Sequence, residues 1–118
     1  MAKKTTEEQF NRFKKEFNNW IEKFGLKGYR VYFCHKILDN SYAEAKVNET
    51  GKVATITYGL EMDKIDHEHS GGPESDAKHE ALHLLLHRIG FLGEQRWTAS
   101  DEIHDEAEKL VTILEKIL

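Results

Sequence analysis

Apolar residues recur at Phe10, Phe13, Phe17, Trp20, Ile21 and Phe24, spacings of three and four that lay one continuous stripe along a helix. Thr5 or Thr6 can cap this helix, and Glu7 and Glu8 fall in its first turn, where the dipole is positive. Gly25 ends it after about four to five turns. An aromatic stripe of this kind predicts packing against a sheet.

From Gly28 the period changes. Tyr29-Arg30-Val31-Tyr32-Phe33-Cys34 is aromatic and β-branched and reads as a strand. Asp39-Asn40-Ser41 is turn chemistry. The alternating Tyr42 to Val47 and the run Val53 to Tyr58 flank a hairpin loop at Asn48-Glu49-Thr50-Gly51. Three successive strands with short loops predict a small, mainly antiparallel sheet. The polar stretch from Glu61 to Gly72 has no regular period.

A second helical pattern follows. Ala77, Ala81, Leu82, Leu85, Leu86 and Ile89 give a broad apolar surface, with Pro73 placed for the first turn and Gly90 for the stop after Arg88. The last helix opens near Thr98 or Ser100, with Asp101 and Glu102 in its first turn. Its core stripe is Ile103, Ala107, Leu110, Leu114 and Ile117, with Val111 and Leu118 on one flank. The fold class expected is α+β: an N-terminal helix, the sheet, and two further helices in one domain spanning residues 1–118.

Composition agrees with a soluble globular domain: 39% of the 118 residues are apolar and 32% charged. A formal net charge of −4 leaves no basic footprint for nucleic acid or an anionic membrane. Cys34 is the only cysteine, so an internal disulfide is ruled out. The first ten residues are polar and no stretch approaches a membrane span, so the expected location is cytoplasmic.

The second helix carries the chemistry. His79-Glu80-x-x-His83 sets two imidazoles four residues apart, which on a helix puts their Cβ atoms about 5–6 Å apart on one face. That suits two ring nitrogens meeting one Zn²⁺ at about 2.0–2.1 Å. Glu80 leaves the same turn, where it can accept a proton from an activated water. His87 lies about 12 Å along the axis from His79, too far to share the ion, and reads as a neighbour of the site or a helix-face residue.

A catalytic zinc takes three protein ligands and leaves a position for water. The third is sought on the last helix, where Glu108 and His104 stand four apart on one edge of the apolar stripe. One can ligate while the other orients a ligand histidine. Glu102 and Glu106 make a rival pair on the opposite edge, Glu106 nearer the apolar centre, and all four can equally be surface charges. His67 and His69, in the polar stretch, read as solvated loop residues or as auxiliary ligands or substrate contacts, and His35 on the first strand reads as another solvated residue.

With these residues in order, the chain resembles the zincin metallopeptidases, particularly the small single-domain ones of phage and bacterial genomes. The His79-Glu80-x-x-His83 segment carries the resemblance, supported by the helix Asp105-Glu106-Ala107-Glu108-Lys109-Leu110-Val111. The metzincin pattern is absent, since Leu86 and Ile89 stand where its Gly and His would be. The resemblance implies Zn²⁺ on His79 and His83, Glu80 as general base, and a gluzincin-like third ligand from the following helix. It also implies a protein or peptide substrate bound as an added strand, with the strand ending at Tyr58 as the edge, and host cytoplasm if the chain is phage-encoded. The oxyanion donor is open among His87, His67, His69 and Tyr58. The alternative is a non-catalytic, zinc-stabilised protein-binding module such as a phage regulatory protein, its metal closed by a fourth ligand from His67, His69 or His104.

Overall fold

A computed structural model describes residues 3–39, 41–62, 70–95 and 99–117. Helix α1 (Glu7–Phe24) begins at Thr6, whose hydroxyl accepts from the Gln9 amide while the Gln9 side chain accepts from the Thr6 amide. It ends at Gly25, held in the left-handed region at φ 71°. Three strands follow: β2 (Arg30–Lys36), β3 (Ala43–Asn48) and β4 (Val53–Gly59). Two further helices, α2 (Pro73–Glu94) and α3 (Ser100–Ile117), complete the α+β architecture. A two-residue pairing of β1 (Lys3–Lys4) with β5 (Glu61–Met62) ties the chain's start to the end of the sheet, continued by the Thr5 amide donating to the Leu60 carbonyl at 2.8 Å.

The sheet is mixed, not mainly antiparallel. Its order is β2-β4-β3, with β2 parallel to β4 and β3 antiparallel to it. Burial explains the order. In β4 the residues Ala54, Ile56, Thr57 and Tyr58 are each at most 2% exposed, so the one strand of the three without a charged residue takes the centre and is flanked on both sides. Tyr58 therefore does not end an edge strand. The edge beside α2 is β3, which among the described residues pairs with β4 alone.

The helices cover one face of this sheet. Phe13, Phe17, Ile21 and Phe24 of α1 meet Ala54, Ile56 and Tyr58 of β4, together with Ala77, Ala81, Leu84 and Leu85 of α2. Phe13 stacks on Tyr58 at 4.7 Å between ring centroids, and Phe17 meets Phe33 edge-on at 5.6 Å. Helix α3 adds Leu110 to the core and packs chiefly on α2.

Two helix boundaries differ from expectation. Helix α2 runs through Gly90 and Gly93 to Glu94, because a helical glycine costs only about 1 kcal/mol against alanine. Buried Leu92 rewards the extra turn. Helix α3 starts at Ser100, with the Ala99 carbonyl accepting from the Glu102 and Ile103 amides; Thr98 lies outside the described residues, as do Asn40 of the first turn and Leu118 of the last stripe. Among the described residues no helix is long and apolar enough to cross a membrane.

Candidate active site

Helix α2 turns His79, His83, Leu86, His87 and Phe91 towards β3 across an open cleft of about 940 Å³, walled opposite by residues 41–45 and Val47. The helical spacing decides this face: Ala77, Ala81, Leu84 and Leu85 occupy the core side, leaving the histidines to the cleft. The Nε2 atoms of His79 and His83 lie 3.1 Å apart, the rings meeting edge-to-face at 84°. Two nitrogens bound to one tetrahedral cation at about 2.05 Å stand about 3.3 Å apart, so the pair can share an ion with little adjustment. Burial first, and His79 second, hold His83 below the ordinary histidine value, which favours the neutral ring a metal needs.

Glu80 lies at the cleft floor, 4% exposed. Burial, with the charges of Asp76 and Glu44 adding to it, pushes its carboxyl up to about 7. A carboxyl that changes state near neutrality is suited to taking and returning a proton. Asp76, four residues earlier, is also raised by burial, although the Ser70 hydroxyl and the Gly71 amide donate to its oxygens and offset part of that. The ring of Tyr42, from the start of the opposite wall, stands 6.5 Å from that of His79.

The third-ligand candidates are placed differently. His104 and Glu108 point away from the core of α3, 74% and 66% exposed, with 3.9 Å between Nε2 and Oε1. Glu106 faces inward at 17% exposure, 3.9 Å from the Lys109 ammonium. Among the described residues no three His, Cys, Asp or Glu side chains gather as a metal-holding group, so the structure brings together His79, His83 and the adjoining Glu80 but not a residue of α3. Asp63, Asp66, His67, Glu68 and His69 lie outside the described residues.

The other candidates resolve clearly. Tyr58 is 1% exposed in the central strand and does not reach the cleft. His35 is not a solvated residue: it stacks on Phe10 at 4.6 Å, its Nε2 is 2.6 Å from the Thr5 hydroxyl, and burial lowers its pKa. His87 lines the cleft with its Nδ1 3.1 Å from the Glu49 carboxylate.

Glu49 itself escaped the sequence reading. A glutamate in a hairpin loop looks solvated, yet its side chain is 1% exposed. Tyr29, Lys52, His87 and Arg88 all donate to it. Burial alone raises its pKa, but the hydrogen bonds from Lys52, Tyr29 and His87 outweigh burial and bring it to about 2. No signal short of the tertiary structure joins residues 20 and 38 positions away to this loop.

The chain matches no protein-family model, no curated protein and no solved structure.

Proposed function

We propose that the protein is a zinc-dependent peptidase whose metal is held by His79 and His83 and whose general base is Glu80. The observation that carries this reading is the 3.1 Å approach of the two Nε2 atoms at the mouth of a cleft floored by a buried carboxyl. Bound Zn²⁺ supplies a Lewis acid that acidifies water and polarises a carbonyl. Glu80, with a pKa near neutrality, takes the proton of the attacking water and delivers it to the leaving amine. The edge of β3 offers its backbone amides and carbonyls to an extended peptide lying along the cleft, which supports strand addition there and not on β4. For the third ligand, Glu106 is the one of the three α3 candidates that faces inward without rotation of the helix, and it ranks ahead of Glu108 and His104.

The test is zinc content and peptide hydrolysis of wild type beside Glu80→Gln. Both should bind one zinc, and only wild type should cleave. Wild type that neither carries nor takes up zinc ends the reading. Zinc in both proteins with cleavage by neither supports the zinc-stabilised binding module instead. Alanine at Glu106, Glu108 and His104 in turn identifies the third donor as the variant with the largest loss of zinc affinity.

A further inference from the structure

We infer that the cleft holds a side-chain subsite beyond the histidine pair, floored by Gly90, walled by Leu86 and Phe91 and closed by Glu94, which selects a lysine or arginine of the bound peptide. The inference rests on the peptidase reading and names the class of substrate that the cleft takes. The cleft does not end at the histidine pair. Tyr42 faces His79 at one end, while Val47 and the last turns of α2 line the other. Counted from the midpoint of His79 and His83, Leu86 lies about 7.5 Å and Gly90 about 13.5 Å along the helix axis. At about 3.3 Å per residue, an extended peptide on the β3 edge brings its second to fourth residues from the cleaved bond over this stretch.

The shape comes from a missing side chain. Leu86, Gly90 and Glu94 stand four residues apart in a single row of the helix surface, and Gly90 interrupts that row. Gly90 is exposed, and a Cβ there would meet no atom within 4 Å, so the space above its backbone is open. A glycine at such a position weakens the helix against alanine, and a notch that admits a ligand side chain accounts for it. At the near end of the notch Leu86 is 47% exposed, and beside it half-buried Phe91 lines the cleft.

Charge decides between an apolar and a cationic occupant. The carboxyls of Glu44, Glu80 and Glu94 line the cleft, and among the described residues no Lys or Arg does. Arg88, on the same stretch of α2, is drawn away to Glu49 at 3.4 Å. Glu94 is exposed in the last turn of α2, where the carbonyl end of the helix adds negative potential. A straight four-carbon stem lies over Gly90 against Leu86 and Phe91, and its ammonium meets Glu94. An acidic side chain would meet like charge there.

Two measurements test this. In metal-free, ¹⁵N-labelled wild type, an alanine peptide carrying one lysine should shift the Leu86, Gly90 and Glu94 amides. At low salt it should bind about fivefold more tightly than its norleucine counterpart, which keeps the stem and lacks the charge. Glu94→Gln should bring the two peptides within about twofold of each other. Equal binding of both peptides to wild type, or shifts that spare Gly90 and Glu94, overturns the subsite. In the zinc-loaded enzyme, a fluorogenic library varied on both sides of the cleaved bond should show lysine or arginine preferred over norleucine by about fivefold in kcat/KM, at a position about two to four residues from that bond. Gly90→Leu, which fills the notch, should bring the ratio of lysine to alanine at that position down to about one. A preference for norleucine, or a lysine preference that survives both Glu94→Gln and Gly90→Leu, overturns the assignment and leaves the peptidase reading standing. Zinc bound and no library member cleaved ends the peptidase reading; the lysine-peptide titration, which needs no metal, then decides the subsite by itself.

Discussion

Replacing Glu49 by glutamine keeps its shape and an acceptor oxygen but removes its charge. The carboxyl titrates at about 2 in the folded protein against an ordinary value of 4.5. Each tenfold change in proton affinity is worth about 1.4 kcal/mol, so the folded state gains on the order of 3 kcal/mol from ionised Glu49. The side chain is 1% exposed, so solvent screening takes little of this away. A carboxyl depressed on folding stabilises fully above its unfolded value and loses that contribution as pH falls through the folded one. The contribution is therefore complete above about pH 5.5 and fades between 4.5 and 2. Urea unfolding of wild type and Glu49→Gln at several pH values between 7 and 2.5, in chelator, isolates the effect, because every other carboxyl titrates in both proteins. The stability difference should be near 3 kcal/mol at pH 7 and should shrink steadily below pH 4.5. A difference that stays constant with pH refutes the account, since the buried group would then not be held as an ion.

Glu80→Gln should behave in the opposite sense in metal-free protein: a carboxyl raised to about 7 favours folding when protonated, so wild type loses stability as pH climbs from 4.5 through 7 and the variant does not. Urea midpoints at pH 5 and pH 8 check this, and equal pH dependence of the two proteins counts against a buried Glu80. Gly90→Ala should raise stability by about 0.5–1 kcal/mol, because the glycine is exposed within α2 and an added Cβ meets no atom within 4 Å. A destabilised Gly90→Ala, measured by thermal melting, would mean that the helix breaks at that residue.

Local order was legible where one residue type settles the matter. Thr6 and Gly25 bound α1 because a side-chain acceptor and a left-handed backbone are tied to particular residues. The aromatic stripe of α1 and the histidine spacing of α2 followed from the helical period alone. Strand order did not, since loop length says nothing about which strand is central. The clue was present in residues 53–58, which alone among the three strands carry no charged side chain, as befits a strand covered on both sides. On α3 the wheel left Glu106 and Glu108 unresolved, and burial of Leu110 with Ile103 and Ala107 turned inward puts Glu106 on the core side. Glu49 had no local signature because, Lys52 of its own loop apart, its partners come from two distant segments, Tyr29 ahead of β2 and His87 with Arg88 on α2.

Glu49 and Glu80 are both 4% exposed, and their environments are opposite. Around Glu49 the fold supplies donors and cations enough to keep a buried charge. Around Glu80 it supplies burial and two further carboxylates, with no hydrogen bond to its carboxyl among the described residues. A sequence shaped only by stability would place an apolar residue at position 80, between the buried Ala77 and Leu84 and beside Ala81. Strain of this kind, at a carboxyl on a cleft floor, marks a working group more often than a structural one. The two histidines that flank it converge to 3.1 Å, and a divalent ion held between them would bring the opposite charge that Glu80, Asp76 and Glu44 lack. Metal binding and folding should then be coupled through Glu80, zinc stabilising wild type more at pH 8 than at pH 5 and stabilising Glu80→Gln less.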